Sequence, residues 1–295
     1  MSVREATPAD ADALAAVMKA ATPYLVTSPE AVRHDLATSR RTSLRLVAED
    51  DGAVAGLARV RGHGGRTMVM LLVHPDHRRR GLGRALLDAV VARLDPPVLG
   101  GIVNGDAGSR AAAAAWDCTI EREHTIAAVD PRRVAVEPGG PTVPLGEVDP
   151  AAVWAATVAT ADDDPSGLSR AHDLRTWLDD DWREPTHRPD LGRAVLGPDG
   201  EVAALAVVRA HGQRAWNAFT GTRPGLRGRG LALRVKAASL HAMAAAGVTT
   251  CGTGNDDANA AMLAVNARLG YRPVATTCSA SLTLGRATTG APERR

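Results

Sequence analysis

The sequence predicts an α/β protein made of two tandem copies of one domain, and two observations predict it. The first is an internal echo. DGAVAGLARVRGHGGR (51–66) aligns with DGEVAALAVVRAHGQR (199–214), and VHPDHRRRGL (73–82) aligns, in the same order, with TRPGLRGRGL (222–231). In the second block Pro75/Pro224, Arg78/Arg227, Arg80/Arg229, Gly81/Gly230 and Leu82/Leu231 are identical, and the register slips by one residue between the blocks. Collinear blocks in one order mark a duplication. The second observation is periodicity: strand-like and helix-like runs alternate in the same order in each half.

In the first copy Thr7-Pro8 and Ser28-Pro29 open two helices, with a hydroxyl residue as N-cap and proline at the first helical position. SLRLVAE and AVAGLARV then read as strands joined by Asp50-Asp51-Gly52, a hairpin signal. TMVMLLV is continuously apolar and reads as a strand buried on both faces. After the arginine turn, Leu86, Leu87, Val90, Val91 and Leu94 fall at helical spacing, and VLGGIV is the next strand. The second copy repeats the order: helices at about 150–160 and 172–178, strands at 193–196, 201–209 and 215–222, a helix at 230–245, a strand at 248–251 and a helix at 258–269. VEPGGPTVPLGEVDP is rich in Pro and Gly and separates the copies. The expected division is a first domain at 1–135, a linker at 136–149, a second domain at 150–285 and a tail at 286–295.

Composition narrows the function. Lys and Arg number 35 against 33 Asp and Glu, which leaves no field for gripping nucleic acid or an anionic membrane. Cys118, Cys251 and Cys278 are odd in number and far apart, as expected of reduced thiols rather than a disulfide framework or a zinc site. No apolar run approaches the roughly 20 residues of a membrane span, and the N-terminus has no signal-peptide core. The expectation is a cytoplasmic protein with no metal, no nucleic-acid partner and no membrane partner, either a monomeric pseudo-dimer of its two copies or a homodimer.

The repeated turn carries the chemistry. Each copy runs from a strand through R-x-x-G-x-G/A into a helix: Arg78, Gly81 and Gly83, then Arg227, Gly230 and Ala232. A helix start presents unpaired N–H groups and the positive end of its dipole, a seat for phosphate. Glycine lets the backbone approach closely, and arginine adds charged donors. Neither a Walker lysine nor the dinucleotide fingerprint G-x-G-x-x-G is present. A pyrophosphate is the expected ligand.

V-x-P-x-x-R-x-x-G-x-G at 73–83, and TGNDDANAAMLAVNARLGYRP at 253–273 with its Leu-Gly-Tyr ending, resemble the acyl-CoA motif and the closing half of a GNAT acetyltransferase domain. The resemblance covers nearly the whole chain as two tandem GNAT domains, a layout similar to that of mycothiol synthase-like actinobacterial members. It implies, for each copy, a mixed, mostly antiparallel sheet flanked by helices with a splayed central strand pair. It also implies acetyl-CoA as acyl donor and a small-molecule amine as acceptor. Carried over by position, the pyrophosphate contacts are Arg79, Arg80, Gly81, Leu82, Gly83 and Arg84, and Gly228, Arg229, Gly230, Leu231, Ala232 and Leu233. The pantetheine and thioester contacts are Leu71, Leu72 and Val73, and Thr220, Gly221 and Thr222, with Asn255 and Asn259 completing the second site. One extra residue lies between Arg214 and Pro224, as a β-bulge or an adjusted loop would require.

The chain departs from the pattern in its acid and base. Many members carry a tyrosine four residues before the closing glycine to protonate the departing thiolate; counting from Gly270, that position is Asn266, a candidate catalytic residue by its place although it has no proton of useful pKa to give. Neither buried strand before the turn carries a carboxylate, so the candidate bases are Asp162, Asp163, Asp164 and His172, with Asp163 and Asp164 preferred. Cys251 reads as a buried structural thiol, since an amine attacks acyl-CoA directly. Trp154, Trp177 and Trp182, with ADDDPSG and WLDDDWREP around them, are expected to border the acceptor site with aromatic faces and negative charge that draw a cation. The expected function is N-acetylation of a small cationic amine, mainly in the second domain. A non-catalytic acyl-CoA-binding or sensor protein is the alternative that the missing acid and base support.

Overall fold

A computed structural model describes residues 1–38, 42–63, 66–94, 98–161 and 173–284. The first copy comprises β1 (Ser2–Glu5), α1 (Ala11–Ala21), α2 (Pro29–Thr38), β2 (Thr42–Asp50), β3 (Ala53–His63), β4 (Arg66–Val73), α3 (Leu82–Val91), β5 (Val98–Asn104), α4 (Ala107–Ala115) and β6 (Thr119–Val129). The second repeats the order as β7 (Val143–Pro144), α5 (Pro150–Ala161), α6 (Leu174–Trp177), β8 (Arg193–Leu196), β9 (Val202–His211), β10 (Arg214–Thr222), α7 (Leu231–Ala245), β11 (Thr250–Asp256), α8 (Ala260–Arg268) and β12 (Arg272–Thr283). A π turn over Leu178–Trp182 continues α6.

Local chemistry sets these elements. Asp51 and Gly52 turn the β2–β3 hairpin with φ of 52° and 80°, the two left-handed residues of a type I′ turn. Asp106 caps α4 by accepting from the Ser109 N–H (3.0 Å), and Asn259 caps α8 by accepting from Met262 (3.2 Å). In the first copy Leu14, Val17 and Val32 of α1 and α2 cover one face of the sheet over Val47 and Leu57. Leu82, Leu86, Leu87 and Val90 of α3 cover the other face over Leu46, Ala48 and Val60.

All strands join one twelve-stranded sheet in the order β1-β2-β3-β4-β5-β12-β6-β11-β10-β9-β8-β7. The order is a palindrome, and its centre is an exchange. β12, the last strand of the second copy, pairs with β5 of the first, and β6 pairs with β11 of the second. β6 and β12 pair with each other at the middle, His124 opposite Thr277.

The sheet is antiparallel except where β4 meets β5 and β10 meets β11. Each parallel pair lasts three rungs, Thr67 to Val69 against Leu99 to Gly101, and Arg214 to Trp216 against Thr250 to Gly252, and then the strands part. Glycine makes the second junction possible: a Cβ on Gly252 would lie 2.6 Å from the indole of Trp216 opposite it. This splay corrects the reading of TMVMLLV as a strand buried on both faces. Residues 67–73 are only half-buried, because β4 leaves its neighbour and lines a cleft.

Candidate functional site

The two clefts open into one cavity of about 1550 Å³ lined from both copies, above the roughly 300–1,000 Å³ of a usual small-molecule site. Its walls are strand edges and helix starts. Past the last shared rung, Leu71, Leu72 and Val73 of β4, and Thr220, Gly221 and Thr222 of β10, line it with backbone groups that β5 and β11 no longer pair.

The arginine turns form its ends. Gly81 and Gly230 precede α3 and α7 with φ of 85° and 76°, a left-handed conformation that suits glycine. The first intrahelical bonds run from Ala85 to Gly81 and from Arg234 to Gly230. The N–H groups of Leu82, Gly83 and Arg84, and of Leu231, Ala232 and Leu233, therefore emerge from the helix ends where these residues line the cavity. Both turns are braced alike. Arg78 and Arg227 donate to the carbonyls of Val73 (3.5 Å) and Thr222 (3.4 Å), and Arg80 and Arg229 donate to Asp76 (3.5 Å) and Gly225 (3.4 Å). Arg79 has φ of 65° where the second copy has Gly228 at 73°, so the first turn carries a strained residue and the second does not.

Of the residues anticipated for the cofactor, all but Arg80 and Arg229 line the cavity, Asn255 and Asn259 among them. The side chains of Arg80 and Arg229 brace the turn instead, and Arg80 also pairs with Asp50 at 2.7 Å. Asn266 is a correction: it is buried and reaches the site only by donating to Asn255 Oδ1 (2.6 Å), so it fixes a cavity residue and does not face the cavity itself. Asp162, Asp163, Asp164 and His172 lie outside the described residues. Trp154, Trp177 and Trp182 are a second correction, since they pack in or against the core around Leu145 and Leu205 and none lines the cavity. The acids beside them are engaged: Asp179 with Arg183, and Asp181 and Glu184 with Arg209. Cys251 is a core thiol, as expected, 3.3 Å from the Tyr271 hydroxyl, and burial pushes both pKa values up.

The clefts differ chemically. The extra residue of the second copy is a bulge at Ala218: Asn217 pairs with Val208 and Phe219 with Val207, whereas β3 and β4 pair without a break. Beside it, Thr220 Oγ1 and Lys236 Nζ both donate to Asn217 Oδ1, each at 2.8 Å. Lys236 is 1% exposed, stands 5.1 Å from the centroid of the Tyr271 ring, and has its pKa lowered to about 8 by burial. Aligned positions in the first copy are Val69, Leu71 and Leu87, all apolar. There Trp116 crowds the helix start, and a Cβ on Gly83 would lie 3.1 Å from its ring. Sequence reasoning passed over Lys236; a lysine among the apolar residues Leu233, Val235, Ala237 and Leu240 of α7 was its only signal.

The wall between the copies is aromatic. Tyr24, from the loop after α1, lies with its ring centroid 6.5 Å from Trp216 and donates to Asn104 Oδ1 at 2.5 Å. Burial raises its pKa to about 12, so it stays a neutral phenol. Among the described residues no group of His, Cys, Asp or Glu is arranged to hold a metal ion, and no helix is long and apolar enough to cross a membrane.

A family profile described as an acetyltransferase (GNAT) domain matches residues 42–113. The chain is 32% identical over 254 residues to mycothiol acetyltransferase of Clavibacter michiganensis subsp. michiganensis, covering 83% of this chain and 82% of that protein. It is 32% identical to mycothiol acetyltransferase of Kineococcus radiotolerans over 68% of each. Among solved structures, a tandem GNAT protein from the clavulanic acid biosynthesis pathway superposes with a TM-score of 0.74 at 22% identity, over 96% of this chain and 98% of that one. A GCN5-related N-acetyltransferase from Sphaerobacter thermophilus superposes with a TM-score of 0.68 at 19% identity, over 95% of each; these likenesses concern the fold.

Proposed function

The chain belongs to the GNAT acetyltransferases, as a tandem N-acetyltransferase related to the mycothiol acetyltransferases, and from that premise we propose that it moves the acetyl group of acetyl-CoA to the amine of a small acceptor, with the chemistry in the second cleft. The observation that carries this reading is the joining, in one cavity, of an anion seat at the start of α7 to a strand edge that the splay leaves unpaired. The helix-start N–H groups of Leu231, Ala232 and Leu233 hold the pyrophosphate. The edge from Thr220 to Thr222 pairs with the pantetheine and aims the thioester at the closed end of the splay. The Ala218 bulge, absent from the first copy, turns a backbone donor toward the thioester oxygen. The first copy holds CoA or serves as scaffold.

The acceptor enters on the side of Tyr24 and Trp216, whose rings favour an ammonium before it loses its proton and attacks. The relatives' name, mycothiol acetyltransferase, puts small molecules bearing both amine and thiol first among acceptors to try. The test is incubation of the protein with acetyl-CoA and a panel of such amines, with mass detection of the acetylated product. Product is expected from at least one small amine, with turnover rising with pH through the acidic and neutral range as the attacking nitrogen is deprotonated. An absence of CoA binding by isothermal titration would overturn the reading.

A further inference from the structure

We propose that the carboxamide of Asn217 donates from Nδ2 to the carbonyl oxygen of the acyl thioester in the second cleft, and that Lys236 is the positioning residue that orients and polarises it. This rests on the reading of the second cleft as the site of acyl transfer.

Three side chains carry the assignment. Asn217 Oδ1 accepts from Thr220 Oγ1 and from Lys236 Nζ, both at 2.8 Å. A flipped amide would set an NH2 group against an ammonium, which can only donate; the Thr220 hydroxyl serves either end, so it is Lys236 that fixes the oxygen end of the amide. Nδ2 is then the opposite end. It has no acceptor among the described residues, and it is not a sealed, unpaired atom either. Asn217 lines the cavity one residue past the last β10–β11 rung, beside the bulge, where the splay begins. A donor is thus held ready at the closed end of the cleft. In the first copy Val69, Leu71 and Leu87 stand at the aligned positions, so that cleft has no such donor.

Lys236 supplies charge as well as orientation. The titratable groups facing it are Cys251 from β11 and Tyr271 just before β12, and burial holds both neutral near pH 7. No carboxylate pairs with it among the described residues. An ammonium behind the amide draws electron density toward Oδ1 and makes Nδ2–H a stronger donor, an effect magnified where water is excluded. As the amine attacks, the carbonyl π pair moves onto oxygen, where Nδ2–H meets the developing charge. On collapse the pair returns, the C–S bond breaks with its electrons on sulfur, and the proton released by the amine nitrogen balances the thiolate through solvent. Asn217 gains and loses no proton. Since the Lys236 pKa is lowered to about 8, its charge is present at neutral pH and is lost above that value.

The test is steady-state kinetics on wild type, Asn217→Ala, Asn217→Asp and Lys236→Met. Losing an oxyanion donor costs about 10²–10³ in kcat, so Asn217→Ala is expected to lose that much with KM for acetyl-CoA little changed. Asn217→Asp still accepts from Thr220 and Lys236 and so preserves the fold, but it replaces the donor with an oxygen and should lose at least as much. Lys236→Met is expected to lose about tenfold and to abolish a fall in wild-type kcat above about pH 8; a merely structural residue would not move that limb. Should Asn217→Ala fail to fold, the Asp variant and the pH profiles decide. Active wild type with both Asn217 variants within about twofold of it, or a pH limb unchanged in Lys236→Met, overturns this inference alone. Wild type inactive with every amine overturns the reading of the cleft, and this inference with it.

Discussion

A lysine ammonium sealed under Asn217 destabilises the fold that contains it. Burial lowers the Lys236 pKa to about 8 from an ordinary 10.5, so between those values the unfolded chain holds a proton that the folded chain has released. Stability therefore rises with pH through that window, and below it the folded state bears the whole penalty, roughly 3 kcal/mol. Lys236→Met removes the charge and leaves Thr220 to serve Asn217 Oδ1. Thermal melts at pH 7 should show the variant melting several degrees above wild type, with the gap closing toward pH 10. An equal or lower Tm at pH 7 would mean that the ammonium is solvated in a way its burial does not suggest. A substitution that raises stability and lowers turnover places the residue's purpose in the reaction. Nothing in the sequence marks this lysine as more than a polar interruption of α7. The surrounding residues Asn217, Thr220, Cys251 and Tyr271 come from two strands and from the residue just before β12, and only the fold assembles them.

At the scale of elements, most of the site was legible. The arginine turns announced themselves through glycine spacing, and local rules govern them: a left-handed glycine, a helix start and a brace from the neighbouring arginine. The extra residue before Pro224 was countable, but a count does not separate a bulge from a longer loop; pairing with β9 places it at Ala218. The Trp-rich segment misled because aromatic and acidic residues mark a binding wall and a core equally well. Here the rings fill the core beside Leu145, and arginines engage the acids. The same geometry guides a test of which anion seat serves catalysis. Gly81 and Gly230 are poor positions for it, since any side chain at their φ is strained. Ala232 and Arg84 lie in the first turns of α7 and α3 with ordinary helical backbone, and both line the cavity. Ala232→Glu and Arg84→Glu each set a carboxylate against the pyrophosphate seat of one copy. Ala232→Glu is expected to abolish acetyl transfer and one CoA site by titration calorimetry, and Arg84→Glu to leave most of the turnover. The reverse pattern would assign the chemistry to the first copy.

For the whole molecule, the strands that the sequence concealed are the short outer strands β1 and β7 and the two that join the halves. TIEREHTIAAV in β6 mixes charges into its alternation, and neither it nor β12 has a hairpin partner nearby to betray it, so both look like the end of a helical unit. Their partners lie far along the chain. β6 pairs with β11, β12 with β5, and Arg122 reaches Asp256 at 2.6 Å across the exchange. Arg214 likewise donates to the Pro23 carbonyl at 2.6 Å, tying the second cleft to the loop that carries Tyr24. Each half thus lends its last strand to the other, and a half alone leaves the inner edge of its fifth strand unpaired, a surface that seeks another strand. We expect the halves made separately, 1–140 and 141–295, to run as dimers or aggregates in size-exclusion chromatography, because a second copy of the same half can repeat the exchange. Co-expressed, they should form a one-to-one complex that recovers acetyl transfer, since the pseudo-twofold pairing needs no covalent link. Folded, monomeric halves would show that each last strand closes readily on its own copy, and that the exchange owes its existence to the linker between them.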